Sequence, residues 1–172
     1  MKYILIFLSR LRHCMGFGVQ SPSDYYFVRN VIYERTPYYA YETLDAKHKA
    51  CSYMERKKAK LSFRVANFAH PSRVFFVGEP SALMADYLNA ARKDGFTTIK
   101  DTAELQRLWQ TNGENFPLEG DVFIIDDIAS GTNEAWQYLT KQPRMVSFDL
   151  YYMGISIYHE RRFSEVHIVN FY

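Results

Sequence analysis

The order of apolar and polar positions divides the chain into a helical first third and a remainder in which strands and helices alternate. In the first third, apolar residues recur every three or four positions, which is the period of an amphipathic helix. From residue 74 onward, short runs such as 74–77 and 122–125 are apolar throughout. Runs of this kind predict strands that are buried on both faces of a parallel sheet.

Cap and turn signals set the expected helices of the first third. A hydroxyl at Ser21, followed by proline and by an acid, predicts a helix that runs to about residue 33. Residues 41–68 predict a further helical stretch with a break near Ser52 or Lys58. Residues 1–8 imitate a signal peptide, but Arg10 and Arg12 follow at once and no cleavage site appears. We therefore predict a first helix whose apolar side is buried.

The rest of the chain predicts a sheet with helices between its strands. Strands are expected at 74–77, 96–100, 121–126, 145–149, 154–158 and 166–171, and helices at 81–92, 101–110 and from 132 or 133 to 139. This alternation predicts an α/β protein with a mostly parallel sheet, and the short loops near the end predict an antiparallel C-terminal edge. We expect a helical N-terminal extension, residues 1–70, packed on an α/β core, residues 71–172, in one compact domain.

Composition narrows the classes of function. The net charge of this 172-residue chain is only +2, and none of its apolar stretches reaches the ~20 residues that a membrane span needs. Its two cysteines, Cys14 and Cys51, lack the spacing of a zinc site. These features predict a cytoplasmic protein without a nucleic-acid or membrane partner. A local basic cluster, 47–64, holds seven basic residues against Glu55 alone, and we interpret it as a solvated helix face.

Ligands of open α/β sheets bind outside the carboxyl ends of the strands, which places the candidate site residues. They are Gly78, Glu79, Pro80, Ser81, Asp101, Asp126 and Asp127. Gly78 also suits a plain strand-to-helix turn, and Asp101 also suits a helix cap. The two adjacent aspartates lack a clear third carboxylate, so no metal is predicted. The five histidines, His13, His48, His70, His159 and His167, show no catalytic pairing in their spacing.

Three stretches resemble class I S-adenosylmethionine-dependent methyltransferases, in particular small O-methyltransferase-like proteins with a helical N-terminal extension. They are residues 13–41 with Gly-Val-Gln-Ser-Pro at 18–22, residues 74–88 with the turn at Gly78, and residues 121–158 with Asp126-Asp127, Glu134-Ala135-Trp136, Phe148-Asp149-Leu150 and Gly154. The chain departs from the family pattern at Gln20 and Ala129, where histidines are expected. It keeps only Gly78 of the glycine-rich loop, and it has fewer strand-helix units between Val77 and Val122.

The resemblance implies a Rossmann-like methyltransferase core with reduced central strand-helix units. It also implies an S-adenosylmethionine site that would use Gly78, Glu79, Ser81, Asp101 and Asp126, with Asp127 and His13 as catalytic residues at the acceptor. Glu79, Pro80 and Ser81 add bulk to the cofactor turn, and the proline removes one N–H donor. We therefore expect a degenerate methyltransferase-like protein with weak or absent cofactor binding and no catalysis.

Two alternatives remain open at this point. The first is an active small-molecule O-methyltransferase, because methyl transfer needs mainly positioning and a deprotonated acceptor. The second is a protein-interaction or self-association module, a homo-oligomer formed through the aromatic C-terminal strands. Its surface would consist of Tyr151, Tyr152 and Met153 together with Phe171 and Tyr172, since tyrosine-rich patches are common at interfaces.

Overall fold

The computed structural model describes residues 2–68, 72–129 and 131–171. Met1, His70 and Tyr172 lie outside these ranges. The described helices are α1 (Lys2–Ser9), α2 (Pro22–Phe27), α3 (Tyr39–Lys47), α4 (Tyr53–Asn67), α5 (Ala82–Ala91), α6 (Thr102–Asn112) and α7 (Glu134–Thr140). The strands are β1 (Val74–Val77), β2 (Thr97–Ile99), β3 (Val122–Asp126), β4 (Met145–Asp149), β5 (Met153–Tyr158) and β6 (Glu165–Ile168). The predicted alternation of strands and helices after residue 74 is confirmed.

The six strands form one sheet in the order β2-β1-β3-β5-β4-β6. Five strands point the same way, and β5 alone runs antiparallel to its neighbours β3 and β4. The prediction of a mostly parallel sheet is therefore confirmed. The prediction of an antiparallel C-terminal edge is wrong, because β5 inserts between β3 and β4 while β6 takes the edge in parallel with β4. The β4–β5 turn is short enough to dictate an antiparallel pair, but it does not dictate the side on which β5 joins the sheet.

Helices cover both faces of the sheet, which explains the continuously apolar strands. Val74 and Phe76 of β1 belong to a core with α2, α4 and α5, whereas Phe75 and Val77 belong to a second core with α6 and α7. Side chains of a strand alternate between the faces, so a strand covered on both sides must be apolar at every position. The protein is thus a three-layer α/β structure.

The helices of the first third agree with the sequence, except for the burial of α1. Ser21 caps α2, a π-helical turn at Val28–Ile32 extends that helix, and Ser52 forms a capping box with Glu55 at the start of α4, where the break was expected. The predicted buried side of the first helix is wrong, since apolar residues of α1 are 55% to 66% exposed: Ile4, Leu5 and Leu8. A polar contact ties the end of this helix to the residues after β6, since the side chain of Asn170 donates to the carbonyl oxygen of Phe7 at 3.0 Å.

None of the described helices combines the length and the apolar character that crossing a membrane requires.

Gly154 and Trp136, both part of the resemblance, meet between β5 and α7. A Cβ atom added at Gly154 would lie 2.4 Å from two carbons of the Trp136 ring. Gly154 is buried within the sheet, opposite Asp149 on β4 and Ile125 on β3. The backbone is fixed there by strand pairing on both sides, so the indole would have to move. Glycine at this position is therefore a packing requirement.

We expect Gly154→Ala to destabilise the fold by about 1–3 kcal/mol, the usual cost of overpacking a core. Urea unfolding followed by circular dichroism measures the loss. In a Trp136→Leu background the added methyl group has room, so the same substitution should cost much less. An equal cost in both backgrounds would contradict the packing explanation.

Candidate functional site

The carboxyl ends of β1, β2 and β3 meet at one edge of the sheet. Val77 is in register with Ile99 of β2 and with Ile125 of β3, so Gly78, Lys100 and Asp126 follow at the same level. From β1 the chain continues to β2 on one side, and β3 returns on the other side of β1. This arrangement is a topological switch point, the place at which open α/β sheets bind ligands. The candidate residues of β1, β2 and β3 are therefore brought to one edge, as predicted.

The turn after β1 has an accessible backbone. Gly78 has a φ of +103°, a conformation that side chains resist, and an added Cβ would meet nothing within 4 Å. Its N–H donates to the carbonyl oxygen of Ile99 at 2.8 Å. Glu79 is exposed, and the hydroxyl of Ser81 caps α5 by accepting from the N–H of Met84 at 3.2 Å. The turn thus leaves open space beside Gly78, while Ser81 performs a structural task.

Asp101 occupies the cap position of α6. Its carboxylate accepts from the N–H of Glu104 at 2.8 Å, and the Glu104 carboxylate accepts from the N–H of Lys100 at 2.7 Å. The first bond satisfies an N–H group that the start of α6 leaves without a partner, and the second ties Glu104 to the residue before the cap. One oxygen of Asp101 is therefore already engaged, although the side chain is exposed.

Asp126, at the end of β3, is bound by a lysine from the helical extension. The ammonium of Lys58 on α4 lies 2.6 Å from Oδ1 of Asp126, and the same oxygen accepts from the N–H of Asp127 at 3.0 Å. The lysine side chain is only 14% exposed. A paired lysine neutralises the carboxylate at the switch point, which removes the negative charge that a cation would need.

Asp127 turns its backbone away from the strand. Its φ is +48°, and its N–H also donates to the carbonyl oxygen of Tyr152 at 2.9 Å. The side chain is exposed. Asparagine and aspartate tolerate this left-handed conformation better than most residues, so an aspartate suits the turn that follows β3.

Helical spacing could have identified Lys58, which the sequence analysis assigned to a solvated basic cluster. Residues 58, 61 and 65 are three and seven positions apart and share one face of α4, and Leu61 and Val65 are buried in the core. Strand alternation likewise places Asp126 on the same face of β3 as Ile124, the face that α4 covers. Interpretation of the whole basic cluster as a solvated face is therefore wrong for Lys58.

His13 lies away from the switch point. It belongs to the irregular segment Leu11–Gly16, and its carbonyl oxygen accepts from the N–H of Asn170 just after β6. Between β3 and β6 stand β5 and β4, so the two ends are three strand spacings apart, about 14 Å. The backbone of His13 is thus held at the far side of the sheet from Asp127, and the sheet order does not bring these two proposed catalytic residues together.

Three cavities lie elsewhere on the molecule. A cavity of about 850 Å³ is bordered by Gly120, Val122 and Ile157 at the amino edge of the parallel strands, opposite the candidate site. A cavity of about 580 Å³ lies between α4 and residues 32–37, and one of about 470 Å³ lies between α1 and the start of α4. Gly78, Asp101 and Asp126 line none of these three.

A polar cluster under the first cavity joins α2 to the last strand. The buried carboxylate of Asp24 binds the guanidinium of Arg162 through both oxygens, and His167 Nε2 lies 2.8 Å from Oδ2. Glu165 stands beside His167 and completes a group with the spacing of metal ligands. Burial alone would raise the pKa of Asp24, but the hydrogen bonds and positive charges of Arg162 and His167 bring that pKa well below its usual range. The arginine occupies both carboxylate oxygens, so we interpret the cluster as a structural tie.

Comparison of the chain with protein-family models, curated proteins and solved structures gives no match. The architecture itself defines the class of protein, a three-layer α/β protein with a six-stranded, mostly parallel sheet.

The Asp24 tie predicts a specific acid lability. Because the folded-state pKa lies below the unfolded value near 3.8, the stabilisation is present above about pH 4 and declines as the pH falls toward the folded-state pKa. Asp24→Asn should reduce the free energy of unfolding by about 3–5 kcal/mol at pH 5 and by less at pH 3.

Urea unfolding at both pH values measures this difference. The two proteins differ only at residue 24, so the comparison between variant and parent isolates the carboxylate of Asp24. The exposed Asp94 provides the matched control, Asp94→Asn. A loss that is the same at pH 5 and pH 3 would overturn the assignment.

Proposed function

We propose that this chain is a degenerate relative of the class I S-adenosylmethionine-dependent methyltransferases, with a reduced Rossmann-like core and without methyl transfer. The observation that carries the proposal is the ion pair between Lys58 and Asp126 at the switch point. In this pair, the carboxylate that the resemblance assigns to cofactor binding is bound by a cation of the helical extension.

The sheet supports the ancestry. Strands β1 and β3 flank the switch point in parallel, and a glycine with positive φ follows β1, which suits a strand-turn-helix unit of the Rossmann kind. A single strand, β2, stands between β1 and β3 in the chain. This agrees with the reduced central units that the resemblance implies.

The described residues fit S-adenosylmethionine poorly. Asp101 already caps α6, Asp126 is paired with Lys58, and Pro80 offers no N–H in the turn. The open space beside Gly78 is the feature that favours the alternative, an active O-methyltransferase. Because one permissive glycine does not supply the hydrogen bonds that ribose hydroxyls need, the degenerate protein is the better supported proposal.

Titration calorimetry with S-adenosylmethionine and S-adenosylhomocysteine, with and without magnesium, tests this proposal. We expect no saturable heat from protein whose folding is verified by circular dichroism. Saturable micromolar binding that is lost in Gly78→Val or Asp101→Ala, and kept in the control Lys49→Met, would overturn the proposal and establish the cofactor site.

A stability cycle tests the structural role of the ion pair itself. Lys58→Met and Asp126→Asn should each destabilise the fold, and the double variant should lose less than the sum, with a coupling of about 0.5–1 kcal/mol for this partly exposed pair. Additive losses would show that the pair does not stabilise the switch point.

A second candidate function, self-association, has its own observation. Among the described residues β6 pairs with β4 alone, and Val166 and Ile168 on this edge strand are exposed, as is the nearby Phe163 at 95%. An exposed apolar edge is a template for pairing with another chain. The surface differs from the expected one, because Met153 and Phe171 are buried and Tyr151 and Tyr152 are only partly exposed.

If β6 mediates self-association, Ile168→Lys should lower the apparent molecular mass at high protein concentration, because a charge on the edge opposes strand addition. Multi-angle light scattering over a wide concentration range measures this change. The control is Thr97→Lys on β2, the opposite edge of the sheet. A parent protein that stays monomeric throughout, or an equal effect of both variants, would exclude pairing through β6.

A further inference from the structure

The cavity of about 580 Å³ beside α4 concentrates positive charge. Five basic side chains line it, from α4 and from the loop that follows the π-helical turn: Arg35, Arg56, Lys57, Lys60 and Arg64. Its volume falls in the range of small-molecule sites. The cavity lies on a different face of α4 from Lys58, because residues 57 and 58 point about 100° apart on a helix.

The acidic residues described around the cavity neutralise only part of this charge. Asp45 pairs with Lys60 at 2.6 Å and with Arg56 at 3.5 Å, and Glu34 accepts from the N–H of Thr36 at 2.7 Å. Five basic and two acidic side chains therefore leave an excess of three positive charges among the described residues. An excess of this size favours a dianion over a single carboxylate.

Arg64 is fixed in the wall of the cavity rather than free in solvent. It is buried, and its guanidinium donates to the carbonyl oxygens of Val31 at 2.7 Å and Ile32 at 3.2 Å. These carbonyls end the π-helical turn, so the arginine is held by a rigid element. A preorganised cation loses little conformational freedom when an anion binds.

The pKa of Lys57 responds to the neighbouring positive charges. Burial, followed by the charges of Arg35 and Arg64, lowers the pKa of Lys57 to about 8. The charges of Arg35 and Arg64 therefore act on the ammonium of Lys57 in addition to burial. An anion in the cavity would oppose the effect of these two charges and raise the pKa of Lys57.

Aromatic rings border the same space. The Lys57 ammonium lies 4.3 Å from the centre of the Phe171 ring, and the Lys60 ammonium lies 5.1 Å from the centre of the Tyr41 ring. Tyr33 and Tyr53 also line the cavity. Rings beside cations suit a ligand that carries a flat apolar group next to its charge.

From this combination we infer that the cavity between α4 and residues 32–37 binds a small phosphate monoester with an aromatic or similarly flat organic group. The phosphate lies against Lys57, Arg35 and Arg64, and the flat group lies against the aromatic wall. The inference is independent of the proposed function, because none of the switch-point residues lines this cavity.

Titration calorimetry with phenyl phosphate, inorganic phosphate and phenol tests the site. We expect phenyl phosphate to bind most tightly, inorganic phosphate more weakly, and phenol without saturation, because the charge supplies most of the affinity. Lys57→Met and Arg35→Gln should each weaken phenyl phosphate at least about tenfold, whereas the exposed Lys49→Met should not change it. Arg35 is exposed, so its variant remains informative if Lys57→Met does not fold.

A direct measurement on Lys57 separates a bound anion from a general charge effect. Lysines carrying ¹³C-methyl labels are titrated by NMR with and without phenyl phosphate. Binding in the cavity should raise the pKa of Lys57 and leave the NMR signals of the exposed Lys49 unshifted. The absence of saturable binding of phenyl phosphate, equal binding by all three variants, or an unchanged pKa of Lys57 during saturation would overturn the inference.

Discussion

The burial of α4 against the sheet is the constraint on which the arrangement at both the carboxyl edge and the amino edge of the strands depends. The helix begins near the carboxyl edge, where Lys58 reaches Asp126, and ends near the amino edge, where Phe68 borders the same cavity as Gly120 and Val122. It therefore runs opposite to β3 and delivers the chain to the start of β1. Because one face of α4 is committed to the core, each basic residue of the helix has a fixed direction. The row that contains Lys58 faces the sheet, and the row that contains residues 57, 60 and 64 faces the loop at 32–37.

The residues that carry the family resemblance have structural tasks in this fold. Gly154 makes room for Trp136, Ser81 and Asp101 cap helices, and Asp126 accepts an ion pair. Such tasks preserve a residue whether or not a ligand binds, since removing a cap or overpacking a core costs stability directly. A resemblance built on these positions therefore bears on the fold and says little about the chemistry.

Much of the fold follows from local sequence, and the exceptions have a common cause. Helix caps at Ser52 and Asp101 and the two-faced apolar strands fix most element bounds, because these signals act within a few residues. The insertion of β5 beside β3, the tie between Asp24 and His167 and the pairing of Lys58 with Asp126 join residues distant in the chain. Local pattern does not specify such contacts. The exposure of α1 is a further feature that local pattern does not specify, because its amphipathic pattern does not reveal whether the fold provides a surface for it to pack on.

Electrostatics separates the two sites that flank α4. At the switch point Asp126 is paired with Lys58 and Asp101 caps α6. A charged ligand at Asp126 would have to displace Lys58 and leave a carboxylate without its partner, which is costly. In the cavity beside residues 32–37 the balance is reversed, because basic side chains outnumber acidic ones and an anion would relieve their repulsion. One helix thus neutralises the site expected from the sheet and creates an electropositive one on its other face. If this chain has kept a ligand, the helical extension is the place where charge favours its binding.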